Sequence, residues 1–137
     1  NLSNKFSNCV VNEIVKAPYI KGALEFLEKN YENLAIYLFS ATPLNELKVI
    51  LNKKKIKSYF REIFGAPEDK NSIFLKIINK TGINKDNILI VGDSISDFKV
   101  AEKFGVDFIG VGNLPHNHFS TETILIDDLM KLENYIN

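Results

Sequence analysis

The chain has one cysteine, Cys9, one arginine, Arg61, and no tryptophan. A lone cysteine excludes an internal disulfide and fits a reducing, cytoplasmic setting. With the other cations all lysine, the sequence is poor in the side chain best suited to bidentate reading of phosphates and bases. Acidic and basic residues balance at 17 each, so the formal net charge is zero. Neither nucleic acid nor an anionic membrane surface finds an electrostatic footprint here. No apolar run approaches the ~20 residues of a membrane span. The opening Asn1-Leu2-Ser3-Asn4-Lys5 lacks the charged and apolar regions of a secretory signal. It also lacks a methionine, which suggests a chain cut from something longer. What remains is ordinary for one globular domain: 137 residues, 45% hydrophobic and 25% charged.

The most informative stretch is Ile88-Leu89-Ile90-Val91-Gly92-Asp93-Ser94-Ile95-Ser96-Asp97. The apolar run reads as a strand of a parallel sheet covered on both faces. Gly92 ends it, and Asp93 falls at its C-terminal tip, where open α/β sheets bind ligands. Asp97 begins an amphipathic helix carrying Ile95, Phe98, Val100, Ala101 and Phe104. Two carboxylates sharing one crevice suit a hard cation such as Mg²⁺. The same residues also suit plainer roles, Asp93 in a turn and Asp97 at a helix start.

Along the chain, Phe6, Cys9, Val10, Val11, Ile14 and Val15 recur at near-helical spacing and predict a helix over residues 3–16. The valine-rich middle leaves a strand as the weaker option. Pro18 stops this element, and residues 17–22 form a linker-like corner. A helix follows through Ala23, Leu24, Phe26 and Leu27 to about Asn30. Residues 34–39 read as a buried strand ending in Ser40-Ala41-Thr42-Pro43, with Thr42 as N-cap and Pro43 in the first turn of the next helix. That helix carries Leu44, Leu47, Ile50 and Leu51 into Lys53-Lys54-Lys55. Residues 62–64 form a short strand, a helix opens at Lys70, and residues 107–112 and 123–126 supply further strands. A last helix covers 128–135. Strand and helix alternate throughout, so the fold class is α/β, Rossmann-like, with three α/β/α layers around a parallel sheet.

Three strand tips then carry groups suited to one task. The Ser40 hydroxyl and the backbone N–H groups of Ala41 and Thr42, at a helix start, can hold a phosphate oxygen. Lys70 offers a fixed positive charge, and Asp93 and Asp97 offer metal ligands. A hydroxyl, a lysine and a carboxylate pair are what a transferring phosphoryl group needs around it. Each alone is weak: a serine after a strand is commonly a cap, and a single lysine is commonly solvated.

In this order the residues resemble the Rossmann-like core of the haloacid dehalogenase (HAD) superfamily of hydrolases. Phe39-Ser40-Ala41-Thr42-Pro43-Leu44-Asn45-Glu46-Leu47 resembles the family's second motif, in the form seen in a phosphoglycolate-phosphatase-like subgroup. Tyr59 to Pro67, followed by Lys70, resembles the third motif. Gly92-Asp93-Ser94 with Asp97 resembles the fourth. Pro18-Tyr19-Ile20-Lys21-Gly22-Ala23 resembles the segment leading from the cap back into the core. The resemblance covers roughly residues 5–112.

It implies a Mg²⁺-dependent hydrolase of small phosphomonoesters. Ser40 would bind a phosphoryl oxygen and Lys70 would neutralise charge. Asp93 would hold the metal, and Asp97 would bind the metal or orient Lys70. The first motif, Asp-x-Asp on a central strand between 34–39 and 88–92, is missing. The expectation is therefore a fragment: residues 1–17 a cap-remnant helix, residues 18–137 a core lacking its first strand, and no turnover by the chain alone. Exposed strand edges would then call for pairing with a missing N-terminal segment or another copy of the chain.

The alternative is a non-catalytic HAD-like binding or scaffold module. A receiver-like signalling domain fits less well, because residue 40 is serine where a phospho-accepting aspartate would stand. His116 and His118, two apart in a polar loop, read as surface histidines. Cys9 reads as core packing, and Lys53-Lys54-Lys55 as a solvated helix end that favours the dipole.

Overall fold

The computed structural model describes residues 21–112 and 122–136 in full and residues 8–11 as backbone. Six strands form one sheet: β1 (Asn8–Val11), β2 (Ala35–Pro43), β3 (Glu62–Ala66), β4 (Ile88–Gly92), β5 (Asp107–Val111) and β6 (Ile124–Ile126). Their order across the sheet is β3-β2-β1-β4-β5-β6, and every pairing is parallel. Helices α1 (Ala23–Asn30), α2 (Leu44–Lys54), α3 (Lys70–Thr81) and α4 (Ile95–Phe104) lie in the connections between successive strands, and α5 (Glu133–Ile136) follows β6.

The period-2 geometry of the strands divides the core in two. Ile36 and Leu38 of β2 and Leu89 and Val91 of β4 pack with Phe26 and Leu27 of α1, Leu47 and Leu51 of α2, and Leu129 and Leu132 near the C-terminus. Tyr37 and Phe39, with Ile88 and Ile90, pack on the other face against Ile73, Phe74 and Ile77 of α3 and Val100 and Ala101 of α4. All five residues of β4 are buried, which is why its sequence is an uninterrupted apolar run. The three layers expected from the alternating pattern are present.

The N-terminal expectation is corrected. Residues 8–11 are strand, not helix, and they lie in the sheet rather than in a cap remnant over 1–17. Asn8, Cys9 and Val10 pair with Ala35, Ile36 and Tyr37 on one side. Asn8 to Val11 pair with Ile88 to Val91 on the other. The physical reason is non-local. Local periodicity favours a helix here, but β2 and β4 each present a row of ladder groups that only a strand between them can satisfy. The core therefore contains a central first strand, and the open edges that would have called for another chain or segment are closed. The rest of residues 3–16, the corner before Lys21, and His116 and His118 lie outside the described residues.

Chain order reverses between β1 and β4. In open α/β sheets this switch point is where the crevice at the carboxyl ends of the strands opens. Ser40 follows the ladder of β2, and Asp93 follows Gly92 of β4. The two strands are the immediate neighbours of β1, so both residues flank the switch point.

Candidate active site

The β2–β3 ladder runs Tyr37–Glu62, Leu38–Ile63, Phe39–Phe64, then breaks and resumes at Pro43–Ala66. Ser40, Ala41 and Thr42 lie in that break, a bulge that turns the chain towards α2. Gly65 stands opposite. A Cβ there would sit 2.5 Å from the Thr42 carbonyl oxygen and 2.9 Å from the Leu44 nitrogen and Cα, so only glycine lets the bulge lie this close. Ser40 is buried. Its Oγ accepts a hydrogen bond from the Thr42 N–H at 3.1 Å. The expected cap is displaced by one residue: Pro43, still paired with Ala66 in the sheet, holds the N-cap position of α2 without a side-chain bond. A hydroxyl that accepts through its lone pair still has its own hydrogen to donate.

Lys70 is the first residue of α3, placed there by Asp69, whose carboxylate accepts from the Ser72 N–H at 2.9 Å. That bond, with the Ser72 hydroxyl bond, holds the Asp69 carboxyl below the usual range. The Lys70 ammonium donates to Asp97 Oδ1 at 2.7 Å and to Ser96 Oγ at 2.8 Å, with Ser94 Oγ at 3.4 Å. Asp97 is fully buried, while the Lys70 side chain is 15% exposed. Asp97 also closes a capping box with Ser94: its Oδ2 accepts from the Ser94 hydroxyl at 2.8 Å and from the Ser94 N–H at 3.3 Å.

Gly92 makes room for this. A Cβ on it would come within 2.3 Å of Asp97 Oδ2 and 2.7 Å of Asp97 Cβ and Cγ. Both Asp97 carboxylate oxygens accept hydrogen bonds inside the protein, Oδ1 from Lys70 and Oδ2 from Ser94. Ser94 and Ser96 were not singled out from the sequence. The signal was there in Ser94-x-x-Asp97, the spacing of a helix cap with a return bond.

An open cleft of about 660 Å³ is lined by Ser40, Ala41, Lys70 and Ser96, with Glu68, Asp69, Asn71, Lys99 and Lys103 among its other walls. The structure thus brings Ser40, Ala41 and Lys70 to one opening, with Asp97 behind Lys70. Thr42 and Asp93 lie outside that lining. Asp93 is exposed at the tip of β4. Among the described residues no group of three or more His, Cys, Asp or Glu side chains is placed to hold a metal ion. One exposed carboxylate is a fit for Mg²⁺, which binds through one or two carboxylates and takes its remaining ligands from water and substrate phosphate.

The model of the haloacid dehalogenase-like hydrolases matches residues 3–111. The chain belongs to this family. A phosphoglycolate phosphatase from Pseudomonas fluorescens (strain Pf0-1) is 31% identical over 126 residues, covering 84% of this chain and 45% of its own length. The chain spans about half the length of the curated relatives it matches. The NMR structure of a core domain from Streptococcus pneumoniae TIGR4 has the same fold, with a TM-score of 0.73 at 19% identity over 96% of each chain. YfnB from Bacillus subtilis, whose structure is bound to magnesium, matches with a TM-score of 0.71 at 19% identity over 85% of this chain and 55% of its own.

Membership sharpens one finding. The place of the family's first strand is filled by β1, yet the first aspartate anywhere in the sequence is Asp69. This HAD chain therefore has the central strand without Asp-x-Asp after it.

Proposed function

We propose that this chain carries the phosphate-ester site of a Mg²⁺-dependent, phosphoglycolate-phosphatase-like hydrolase of small phosphorylated metabolites, without the nucleophile that would complete it. The observation that carries this reading is the Lys70 ammonium, held by buried Asp97 and by Ser96 at the mouth of the cleft that Ser40 also lines. The Ser40 hydroxyl donates to a phosphoryl oxygen, and the Ala41 N–H assists it at the strand tip. Lys70 sets a positive charge beside that group, and Asp97 fixes where the charge sits. Asp93 would hold Mg²⁺, which when bound helps neutralise the phosphoryl oxygens. In the family an aspartate attacks phosphorus and the aspartyl-phosphate is then hydrolysed. No residue of this sequence stands in that place as aspartate, so the isolated chain binds without turning over.

The test is hydrolysis of p-nitrophenyl phosphate with Mg²⁺ by pure protein of 15.6 kDa. The expected result is no rate above background, together with binding of inorganic phosphate that weakens in Ser40→Ala and Lys70→Ala. Robust hydrolysis abolished by Asp93→Asn would overturn the missing-nucleophile reading.

A second reading, a non-catalytic binding module, is favoured by one observation: β1 occupies the central place of the sheet although Asn12-Glu13, not an aspartate, comes directly after it in sequence. If the gene encodes Asp-x-Asp ahead of Asn1, the parent is an enzyme and this chain a fragment of it. If it does not, the module reading holds. The single cysteine fits a cytoplasmic protein, and the balanced charge argues against nucleic acid. Among the described residues no helix is long and apolar enough to cross a membrane.

A further inference from the structure

Two serines line the cleft, Ser40 and Ser96, and their hydroxyl hydrogens have different fates. Ser40 Oγ accepts from the Thr42 N–H, and among the described residues no acceptor takes its own hydrogen. Ser96 belongs to a closed network. The Ser94 hydroxyl lies 2.8 Å from Asp97 Oδ2 and 2.9 Å from Ser96 Oγ. It has one hydrogen to give. The Asp97 carboxylate, paired with Lys70, accepts only and is the stronger partner, so Ser94 donates to Asp97. The contact between the serines is then a bond from the Ser96 hydroxyl to Ser94 Oγ. With its hydrogen used there, Ser96 meets the Lys70 ammonium as an acceptor, at 2.8 Å. Lys70 and the Asp97 N–H each reach Ser94 Oγ only at 3.4 Å.

A one-way path results. It leaves the Lys70 ammonium, passes through the Ser96 and Ser94 hydroxyls and ends on Asp97 Oδ2, while Asp97 Oδ1 takes Lys70 directly at 2.7 Å. Both hydroxyls are polarised in the same sense, from cation to anion, so the bonds reinforce one another. Asp97 is fully buried and Ser96 is exposed, so Ser96 holds Lys70 from the cleft side.

We propose that Ser96 is a positioning residue, which fixes the Lys70 ammonium in the cleft and does not itself bind the phosphoryl group. This rests on the phosphate-ester reading of Ser40 and Lys70. A hydroxyl whose hydrogen is committed to Ser94 offers a phosphoryl oxygen only lone pairs, which repel it. Ser40, with its hydrogen uncommitted, donates. The two serines of one cleft therefore have opposite roles: Ser40 contacts the phosphoryl group, and Ser96 acts through Lys70.

A double-mutant cycle on inorganic-phosphate binding, read by backbone-amide NMR, tests this. Ser96→Ala is expected to weaken binding about three- to fivefold, the scale of one partly exposed bond to a charged group. Ser96→Thr keeps the hydroxyl and should bind within twofold of the parent. In a Lys70→Met background, Ser96→Ala should leave the dissociation constant within about 1.5-fold, whereas Ser40→Ala weakens binding in both backgrounds. A second measurement is independent of phosphate: proton exchange of the Lys70 side-chain ammonium, followed by NMR with isotope-labelled lysine. Ser96→Ala should speed that exchange severalfold, and Ser96→Thr should not. Equal weakening by Ser96→Ala with and without Lys70 makes Ser96 a phosphate ligand and overturns the proposal. Unchanged Lys70 exchange in Ser96→Ala overturns it too, as does Ser96→Thr binding as weakly as Ser96→Ala. If the parent binds no phosphate, the phosphate-ester reading fails by itself, and the positioning of Lys70 by Ser96 stands or falls on the exchange measurement.

Discussion

Replacing Gly92 with alanine adds one methyl group at the end of β4 and is expected to act far beyond its size. The new Cβ would lie 2.3 Å from Asp97 Oδ2 and 2.7 Å from Asp97 Cβ and Cγ, where ordinary contact is 3.4–4 Å. Asp97 must recede by about 1 Å. It is fully buried, and its two oxygens hold Lys70 at 2.7 Å and the Ser94 hydroxyl at 2.8 Å, so the move stretches both bonds beyond useful length. Overpacking of this kind costs about 1–3 kcal/mol. A charge-assisted hydrogen bond lost at a buried carboxylate adds about 1.5 kcal/mol or more. The expected total is about 3 kcal/mol, which for a chain of this length lowers the thermal midpoint by about 10 °C.

Urea unfolding followed by far-UV circular dichroism measures it directly. Gly82→Ala serves as the contrast: nothing stands within 4 Å of its added Cβ, but its φ of +67° is left-handed, so it costs only backbone strain of about 1–2 kcal/mol. A Gly92→Ala protein within about 0.5 kcal/mol of the parent, or one destabilised less than Gly82→Ala, would refute the close packing of Gly92 on Asp97.

Asp97→Asn removes the charge opposite Lys70. It is expected to cost about 2–3 kcal/mol, below the 3–5 kcal/mol of a fully buried pair because Lys70 can turn towards solvent; the loss of inorganic-phosphate affinity on NMR titration should accompany it. Gly65→Ala drives a Cβ into the backbone of Thr42 and Leu44. It should cost about 1–3 kcal/mol in urea unfolding and shift the amide resonances of Ser40 to Thr42. Burial pushes the Glu133 carboxyl up, but hydrogen bonds from Asn30 and Lys29 outweigh it and hold the group below the usual range. A depressed carboxyl stabilises the fold above its unfolded value and loses that contribution as pH falls through the folded one. Glu133→Gln should therefore be less stable than the parent at pH 7, with the gap closing as the pH drops below about 4.

How much of this was legible depends on whether the decisive contacts are local. β4 announces itself because both its faces are covered, and α3 and α4 because their apolar stripes meet the same side of the sheet. Ser40 and Lys70 were legible as strand-tip and helix-start residues, and the cleft does bring them together. The cap of α2 fell one residue away from Thr42, since β2 runs on to Pro43 through its pairing with Ala66, a contact no local propensity reveals. Asp97 was legible from local pattern only as a carboxylate near the site; that it binds metal or orients Lys70 came from the family resemblance, because the Lys70–Asp97 pairing joins the starts of two helices far apart in sequence. β1 was the largest miss. Its residues carry near-helical spacing, and what makes them a strand is the pair of open ladders on either side, which no window of sequence contains.

The position of β1 has a consequence for how the chain comes together. This strand precedes the other described strands along the chain, yet it pairs with residue 35 on one side and residue 88 on the other. Until β4 has emerged, one of its two ladders has no partner. The β2–β3 pair and the β4–β5–β6 ribbon are each hydrogen-bonded to β1 and not to each other. Joining them is a late step of high contact order, which slows assembly relative to the local β–α–β units. Conversely, releasing β1 separates the sheet into two halves. Its amides therefore exchange with solvent only when the whole domain opens, which makes four short residues the reporter of global stability.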